Sequence, residues 1–242
     1  QRWLTNGPNL LKFENKFSVT NNSKFSIAVS TATHGLHLSL ASLGIGSGDE
    51  VIVPTFTFSA TADAVEYCGA KPIFVDVDMN SFNIIPNEIK KKITKKTKAI
   101  VVVHYGGQSC DMNEILKISK AKNIPVIEDC AHALGSTYGL KKCGTIGNVG
   151  CFSFYPTKVI TTGEGGMITT NNIKLFQKIK SLRSHGMSIL PSEREKKASW
   201  EYDIVELGFN YRLDEIRCAL GFSQLKRLGE INKRRKMVAK KY

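Results

Sequence analysis

The sequence predicts an α/β fold with a mixed, mostly parallel β-sheet that is sandwiched between helices. From about residue 28, short β-branched runs alternate with amphipathic helical patterns, which is typical of parallel strands joined by crossover helices. The 242 residues, of which 42% are hydrophobic, are enough for one sizeable core. We therefore expect one large α/β unit.

The predicted elements follow one another in a regular order. Helices are predicted over residues 33–43, 59–67, 86–93, 112–120, 173–182, 213–228 and 230–242. Strands are predicted over residues 50–53, 72–77, 99–104, 125–128, 151–154 and 167–170. Three alternate glycines, Gly44, Gly46 and Gly48, follow the first helix instead of opening one, so they predict a helix end and a turn. The charge-rich residues 191–197 predict a loop.

The net charge of +13, from 34 Lys+Arg and 21 Asp+Glu, is compatible with a nucleic acid, an anionic membrane or a phosphorylated substrate. The excess concentrates in residues 90–98 and 233–241, which we interpret as exposed helix faces, and no nucleic-acid reader motif accompanies it. The longest apolar run, 99–103, is too short to span a bilayer. We predict a soluble, cytoplasmic protein that binds neither nucleic acid nor membrane.

Six cysteines occur without a CxxC pair or a regular framework, which predicts reduced thiols and no metal site.

Two charged residues follow predicted strands. Asp129 comes directly after the apolar residues 124–127, and Lys158 lies just beyond the strand at 151–154. In open α/β folds, ligands bind at this carboxyl edge of the sheet. Taken singly, the aspartate could equally be a helix N-cap and the lysine a solvated side chain.

The combination of these residues with residues 31–35 predicts a cofactor. A lysine can form a Schiff base, an aspartate can pair with a protonated pyridine nitrogen, and a threonine at the start of a helix can help to hold a phosphate. Pyridoxal 5'-phosphate needs all three, so we predict that this chain binds it.

Several motifs that follow one another along the chain resemble those of a known family. The motifs lie at residues 48–54 (GDEVIVP), 69–78 (GAKPIFVDVD), 128–133 (EDCAHA), 152–154 (FSF) with Lys158, 163–166 (GEGG) and 208–212 (GFNYR). The sequence resembles the DegT/StrS family of pyridoxal-phosphate sugar aminotransferases over nearly its whole length. The resemblance implies the large domain of a fold-type I pyridoxal-phosphate-dependent aminotransferase.

The resemblance also implies domain boundaries. Residues 1–27 would be a shortened N-terminal segment, and residues 28–228 would be the large domain that binds the cofactor. Residues 229–242 would begin the linker helix to a C-terminal small domain that is absent from this sequence.

The resemblance implies roles for two catalytic residues. Lys158 would form the Schiff base with the cofactor and, once released, move the proton of the substrate. Asp129 would keep the ring nitrogen protonated, so that the ring accepts the electrons left when that proton departs.

Further positions follow from the resemblance, and they concern cofactor and substrate binding. Thr33, Ser153 and the backbone N–H of His34 would hold the phosphate, Phe58 would stack on the ring, and His132 would lie near its phenolic oxygen. Asn210 would reach the phosphate of a neighbouring subunit, which implies a homodimer with shared active sites. His185 falls where the family approaches substrate.

Structural alternatives remain open for several of these positions. Phe58 could form a core pair with Phe56, His132 could be structural, and His185 could cap a helix end. The phosphate loop also departs from the family, because Ala32-Thr33-His34-Gly35 stands where the family usually has Gly-Thr-Ala-Ala.

The function that the resemblance implies is transfer of an amino group from an amino acid, by family habit glutamate, to a nucleotide-linked keto-sugar. Residues 131–136, 183–187 and 220–225 resemble most the enzymes that aminate UDP-4-keto-6-deoxy-N-acetylhexosamines. A sugar dehydratase or regulator of the same fold is the alternative, but the family's dehydratases replace the Schiff-base lysine, which this chain keeps as Lys158. A non-catalytic nucleotide or nucleic-acid binder is the third class.

Overall fold

The computed structural model describes residues 3–188 and 201–242. Among these residues, the strands are β1 (Phe25–Val29), β2 (Glu50–Pro54), β3 (Lys71–Val75), β4 (Thr97–Val103), β5 (Val126–Asp129), β6 (Thr137–Tyr138), β7 (Lys141–Lys142), β8 (Val149–Ser153) and β9 (Gly166–Thr170). Seven of them form one sheet in the order β1-β9-β8-β5-β4-β2-β3, and β6 pairs with β7 in a separate hairpin.

The sheet is mixed and mostly parallel, as predicted. Strands β3, β2, β4, β5 and β8 pair in parallel, and β9 runs antiparallel to both β8 and β1. Their parallel pairing brings the carboxyl ends of β4, β5 and β8 to one edge of the sheet. That edge carries the cavity described below.

The helices of the described residues cover both faces of this sheet. They are α1 (Pro8–Asn21), α2 (Ala32–Ser42), α3 (Ala60–Tyr67), α4 (Pro86–Lys92), α5 (Met112–Lys122), α6 (Ile173–Arg183), α7 (Glu215–Lys226) and α8 (Leu228–Ala239). Side chains of α2, α3 and α6 pack with one face of the strands. Those of α1, α7 and α8 pack with one half of the opposite face, and those of α4 and α5 with the other half.

The strands alternate between the two faces because successive side chains of a β-strand point in opposite directions. In β2, Val51 and Val53 belong to the cluster under α2, whereas Ile52 between them belongs to the cluster under α4 and α5. All three are fully buried, which explains why the strands appear in the sequence as continuous apolar runs.

Most predicted elements lie within a few residues of the observed ones. Gly44 and Gly48 have positive φ angles of 76° and 86° at the turn after α2, which confirms the predicted helix end. Helix α1, strand β1 and the β6–β7 hairpin were not predicted. The predicted loop over 191–197 lies outside the described residues.

The cysteines and the helices agree with two further expectations. All six cysteines are free thiols, five of them buried and Cys68 half-buried. Within the described ranges, every helix is too short or too polar to span a bilayer.

Helix α1 depends on a contact from the far end of the chain. Glu215, the first residue of α7, is 2% exposed and accepts hydrogen bonds from the backbone N–H groups of Gly7, Asn9 and Leu10 at 2.8–2.9 Å. These donors lie at the start of α1, where N–H groups lack partners within the helix and where negative charge is favourable. A distant carboxylate therefore caps α1, whose apolar side chains pack into the core.

We expect Glu215→Gln to lower the free energy of unfolding by about 1–3 kcal/mol, because it removes the charge and one acceptor from buried N–H donors. Urea denaturation would measure this loss. Glu230→Gln is the matched control, since Glu230 is exposed and pairs only with Arg227 and Arg234 in the described structure; its effect should stay below about 1 kcal/mol. Equal stability of the two variants would contradict the assigned role of Glu215.

Candidate active site

A cavity of about 630 Å³ opens at the carboxyl edge of the sheet. Its walls come from the ends of β4, β5 and β8, from the first residues of α2 and α3, and from the segment after β8. Six residues proposed from the sequence line it: Thr33, Phe58, Asp129, His132, Ser153 and Lys158. Residues from four separate parts of the chain therefore meet at one place.

Asp129 is the last residue of β5 and is buried beneath this cavity. The backbone N–H of Ala131 donates to Oδ1 at 3.0 Å, and the Thr61 hydroxyl donates to Oδ2 at 2.9 Å. Burial raises the pKa of Asp129, and these two hydrogen bonds together with nearby His132 and Lys158 oppose the rise. The ionised form of such a buried carboxylate is stabilised when a cation pairs with it inside the cavity.

Lys158 lies in an irregular segment that follows β8 and is half-buried. Burial lowers the pKa of its amine, and the negative charge of Asp129 opposes that effect. A lower pKa increases the fraction of neutral amine, which is the form that acts as a nucleophile or base. The cavity thus brings together a buried acid, whose pKa is raised by burial, and an amine, whose pKa is lowered by burial.

His132 follows Asp129 by three residues and also lines the cavity. Burial lowers the pKa of its ring, the Lys158 cation lowers it further, and Asp129 raises it. This environment favours a neutral imidazole that can donate or accept a hydrogen bond.

The first turn of α2 lines one end of the cavity. Thr31 is the N-cap, and Ala32 and Thr33 occupy the next two positions, whose N–H groups have no partner within the helix. The backbone of β9 lies close to this turn: a Cβ at Gly166 would be 2.7 Å from the Thr31 carbonyl carbon. Only glycine permits that approach.

The structure corrects one expectation for this turn. The backbone N–H of His34, proposed to hold a phosphate, donates instead to Thr31 Oγ1 at 3.1 Å as the helix cap. The His34 ring turns to Ser30 Oγ, 2.7 Å from Nδ1, and stacks on Tyr211 with 3.7 Å between ring centroids. The available donors are therefore those of Ala32 and Thr33.

Phe58 lines the cavity and is 79% exposed. The alternative that it belongs to the core is therefore wrong. Phe56 instead packs at 5.1 Å from Phe82 and 5.0 Å from Tyr105, measured between ring centroids. Phe58 is left free to cover a planar ligand in the cavity.

The structure does not bring His185 and Asn210 into the cavity of their own chain. His185 is exposed, has a positive φ angle of 64° and donates its N–H to the Phe209 carbonyl at 2.9 Å. Asn210 is exposed and forms a β-bridge with Ser184. Their functional roles stay predictions.

Sequence reasoning missed three residues that support Asp129. Thr61 holds its carboxylate directly. His104 and Glu128 form a fully buried pair with 2.9 Å between Nε2 and Oε2, and the backbone N–H of His104 donates to the Asp129 carbonyl at 3.1 Å. Polar residues beside buried strands were a signal for His104 and Glu128, whereas nothing local indicated Thr61.

His104 and Glu128 also meet Cys130, and one ligand atom of each lies within 4.8 Å of the others. Their polar atoms already have partners. Cys110 N–H donates to His104 Nδ1 at 3.1 Å, so the proton lies on Nε2 and faces Glu128. Glu128 also accepts three backbone N–H groups from residues 144, 146 and 147. This bonding makes the group a brace for the strands rather than a metal site.

The cavity suits pyridoxal phosphate on its own chemistry. It offers an amine for a carbonyl carbon, a buried carboxylate for a protonated ring nitrogen, and helix N–H donors with the Ser153 hydroxyl for a phosphate. The exposed face of Phe58 suits the ring.

Known proteins share this arrangement of sequence and fold. GDP-perosamine synthase of Escherichia coli O157:H7 is 42% identical over 99% of this chain and 64% of its own length. Helicobacter pylori PseC, an aminotransferase involved in the biosynthesis of pseudoaminic acid, is 35% identical with a TM-score of 0.86, covering 95% of this chain and 60% of that one. A Streptococcus pneumoniae protein described as a sugar aminotransferase and solved in its PLP form is 32% identical with a TM-score of 0.91, covering 99% and 64%.

The chain spans about three-fifths of the length of the curated relatives that it matches. The model of the DegT/DnrJ/EryC1/StrS aminotransferase family matches residues 1–242. The chain therefore belongs to this family of sugar aminotransferases, whose cofactor is pyridoxal phosphate.

Proposed function

We propose that the protein transfers an amino group from an amino acid, with glutamate as the expected donor, to a nucleotide-linked keto-sugar. The observation that supports this most is the meeting of Lys158 and Asp129 in one cavity, with burial shifting the two pKa values in opposite directions. The proposal concerns the whole protein, because the relatives extend beyond the length of this chain.

Pyridoxal phosphate, when bound, supplies a carbonyl carbon for amines and a ring that accepts the electron pair of a broken C–H bond. Lys158 acts with its neutral amine, which burial favours, first as the nucleophile and then as the base that moves the proton of the substrate. Asp129 keeps a proton on the ring nitrogen, since its buried carboxylate is stabilised by a cation.

The remaining groups orient and enclose the reactants. The N–H groups of Ala32 and Thr33, with the hydroxyl of Ser153, anchor a phosphate at the start of α2, where the helix dipole favours negative charge. When the cofactor is bound, Phe58 would cover the face of the ring, and the neutral His132 would hydrogen-bond its phenolic oxygen.

Other features support the finer parts of the proposal. The net charge of +13 suits a diphosphate substrate. Asn210 and His185 are exposed, as expected of residues that serve a neighbouring subunit's phosphate and the substrate in a homodimer. Free thiols agree with a reducing compartment, which supports a cytoplasmic location. The pathway class would be amino-sugar and cell-surface polysaccharide biosynthesis.

The function is tested with the complete protein, glutamate and a panel of UDP- and GDP-linked keto-sugars. We expect more than one equivalent of 2-oxoglutarate per site to be released only when a keto-sugar acceptor is present, with the 4-keto-6-deoxy-N-acetylhexosamine of UDP preferred. Borohydride should fix the cofactor to Lys158. Loss of water from the sugar without amino transfer would favour the dehydratase alternative.

Asp129→Asn should slow the single-turnover reaction with glutamate by roughly 10²–10⁴-fold, because a neutral amide does not hold the ring nitrogen protonated. Rapid-scanning absorbance would measure the rate. Asp111→Asn is the matched control, since Asp111 is the N-cap of α5 and asparagine caps helices equally well. A near-normal rate in Asp129→Asn would show that the carboxylate has another role.

The reactivity of Lys158 toward an amine-directed reagent should depend on pH in a defined way in the cofactor-free protein. Because burial lowers its pKa, labelling should be half-maximal below pH 10.5, the ordinary value for lysine. Asp129 raises that pKa, so Asp129→Asn should move the midpoint to still lower pH. Competitive labelling with mass spectrometry would measure both. A midpoint that rises in the variant would refute the assigned coupling.

A further inference from the structure

Helix α8 reaches the main chain of Lys158. Arg235 Nη2 donates to the Lys158 carbonyl at 2.7 Å and to the Thr157 carbonyl at 3.4 Å. The segment around Lys158 forms neither helix nor strand, and the Lys158 N–H donates to the Tyr155 carbonyl at 2.9 Å. A cation 77 residues later in the chain therefore holds the carbonyl end of this lysine.

The same helix also lies against the loop that carries His132. Gly135 has a φ angle of 90°, and a Cβ at this position would lie 2.4 Å from Asn232 Nδ2. Asn232 and Arg235 are three residues apart, so they lie on one face of α8. Near its start, α8 is anchored by the buried Leu228 and by Ile231, which packs on the core. One helix thus contacts both the segment that carries Lys158 and the loop that carries His132.

Arginine is suited to this position. A guanidinium is planar and permanently charged, and it presents several N–H donors in a fixed geometry, so it can serve two neighbouring carbonyls at once. A misplacement of about 1 Å in a reacting group can cost roughly 10²-fold in rate. Holding the carbonyls of Thr157 and Lys158 limits the positions that the Lys158 side chain can reach.

We propose that Arg235 is a positioning residue for Lys158, acting through the main-chain carbonyls of residues 157 and 158. This inference rests on the proposed function, in which Lys158 bonds to the cofactor. Arg235 itself does not touch the reacting atoms. Its effect should therefore appear in the reactivity of Lys158 and not in the affinity of the phosphate end of the site.

Two ligands separate these effects. Pyridoxal phosphate bonds to Lys158, whereas pyridoxamine phosphate fills the same site without a bond to the lysine. In cofactor-free protein, Arg235→Met should slow covalent capture of pyridoxal phosphate at least about tenfold, measured by stopped-flow absorbance. The dissociation constant for pyridoxamine phosphate and the urea unfolding midpoint should remain unchanged.

Two control variants also change residues of α8. Arg235→Lys retains a cationic donor and should recover part of the capture rate. Arg234→Met should match the parent, because Arg234 is 73% exposed and pairs with Glu230 instead. Equal capture rates in Arg235→Met and Arg234→Met would overturn the proposal, and so would a parallel loss of pyridoxamine phosphate binding in Arg235→Met.

Different results would overturn the role of Arg235 and the proposed function. A parent protein that captures pyridoxal phosphate on Lys158 but transfers no amino group overturns the function, while the role of Arg235 stands on the capture rates. A parent protein that captures none on Lys158 overturns both.

Discussion

The site depends on the parallel pairing of β4, β5 and β8, which places the ends of three strands at one edge of the sheet. Asp129 lies at that edge, and burial makes its negative charge costly. Two hydrogen-bond donors, Ala131 N–H and Thr61 Oγ1, offset part of the cost, one at each carboxylate oxygen. A protonated ring nitrogen beside Asp129 would offset the rest of this cost. The binding chemistry therefore follows from the position at which β5 ends.

The neighbouring residue Glu128 shows how strictly the register of β5 is fixed. Successive strand residues point to opposite faces, so Glu128 turns away from the cavity and binds His104 and three backbone N–H groups of residues 144–147. A slip of one residue would exchange the two carboxylates and leave both without partners. Glu128 therefore secures the position of Asp129 and the loop that leads into β8.

Much of this arrangement could be predicted from sequence, because it depends on local patterns. The apolar runs predicted the strands, and their ends predicted the places of Asp129 and Lys158. The missed features join distant parts of the chain: Glu215 caps α1, and Thr61 supports Asp129. No local pattern of residues 8–21 indicates a carboxylate two hundred positions away. Likewise, the family resemblance assigned the backbone N–H of His34 to a ligand, whereas in the structure it donates to Thr31 Oγ1, a bond that depends on the cap geometry.

The departure of residues 32–35 from the usual family pattern is compatible with the proposed chemistry for a physical reason. The large side chain of His34 lies outside the cavity because its ring hydrogen-bonds to Ser30 and stacks on Tyr211. Gly35 lies directly against the sheet, where a Cβ would come within 3.3 Å of Ile168, and this contact lets α2 approach the strands. The start of the helix consequently keeps its free N–H groups toward the cavity, and an anion can bind there although the residues differ from the usual pattern.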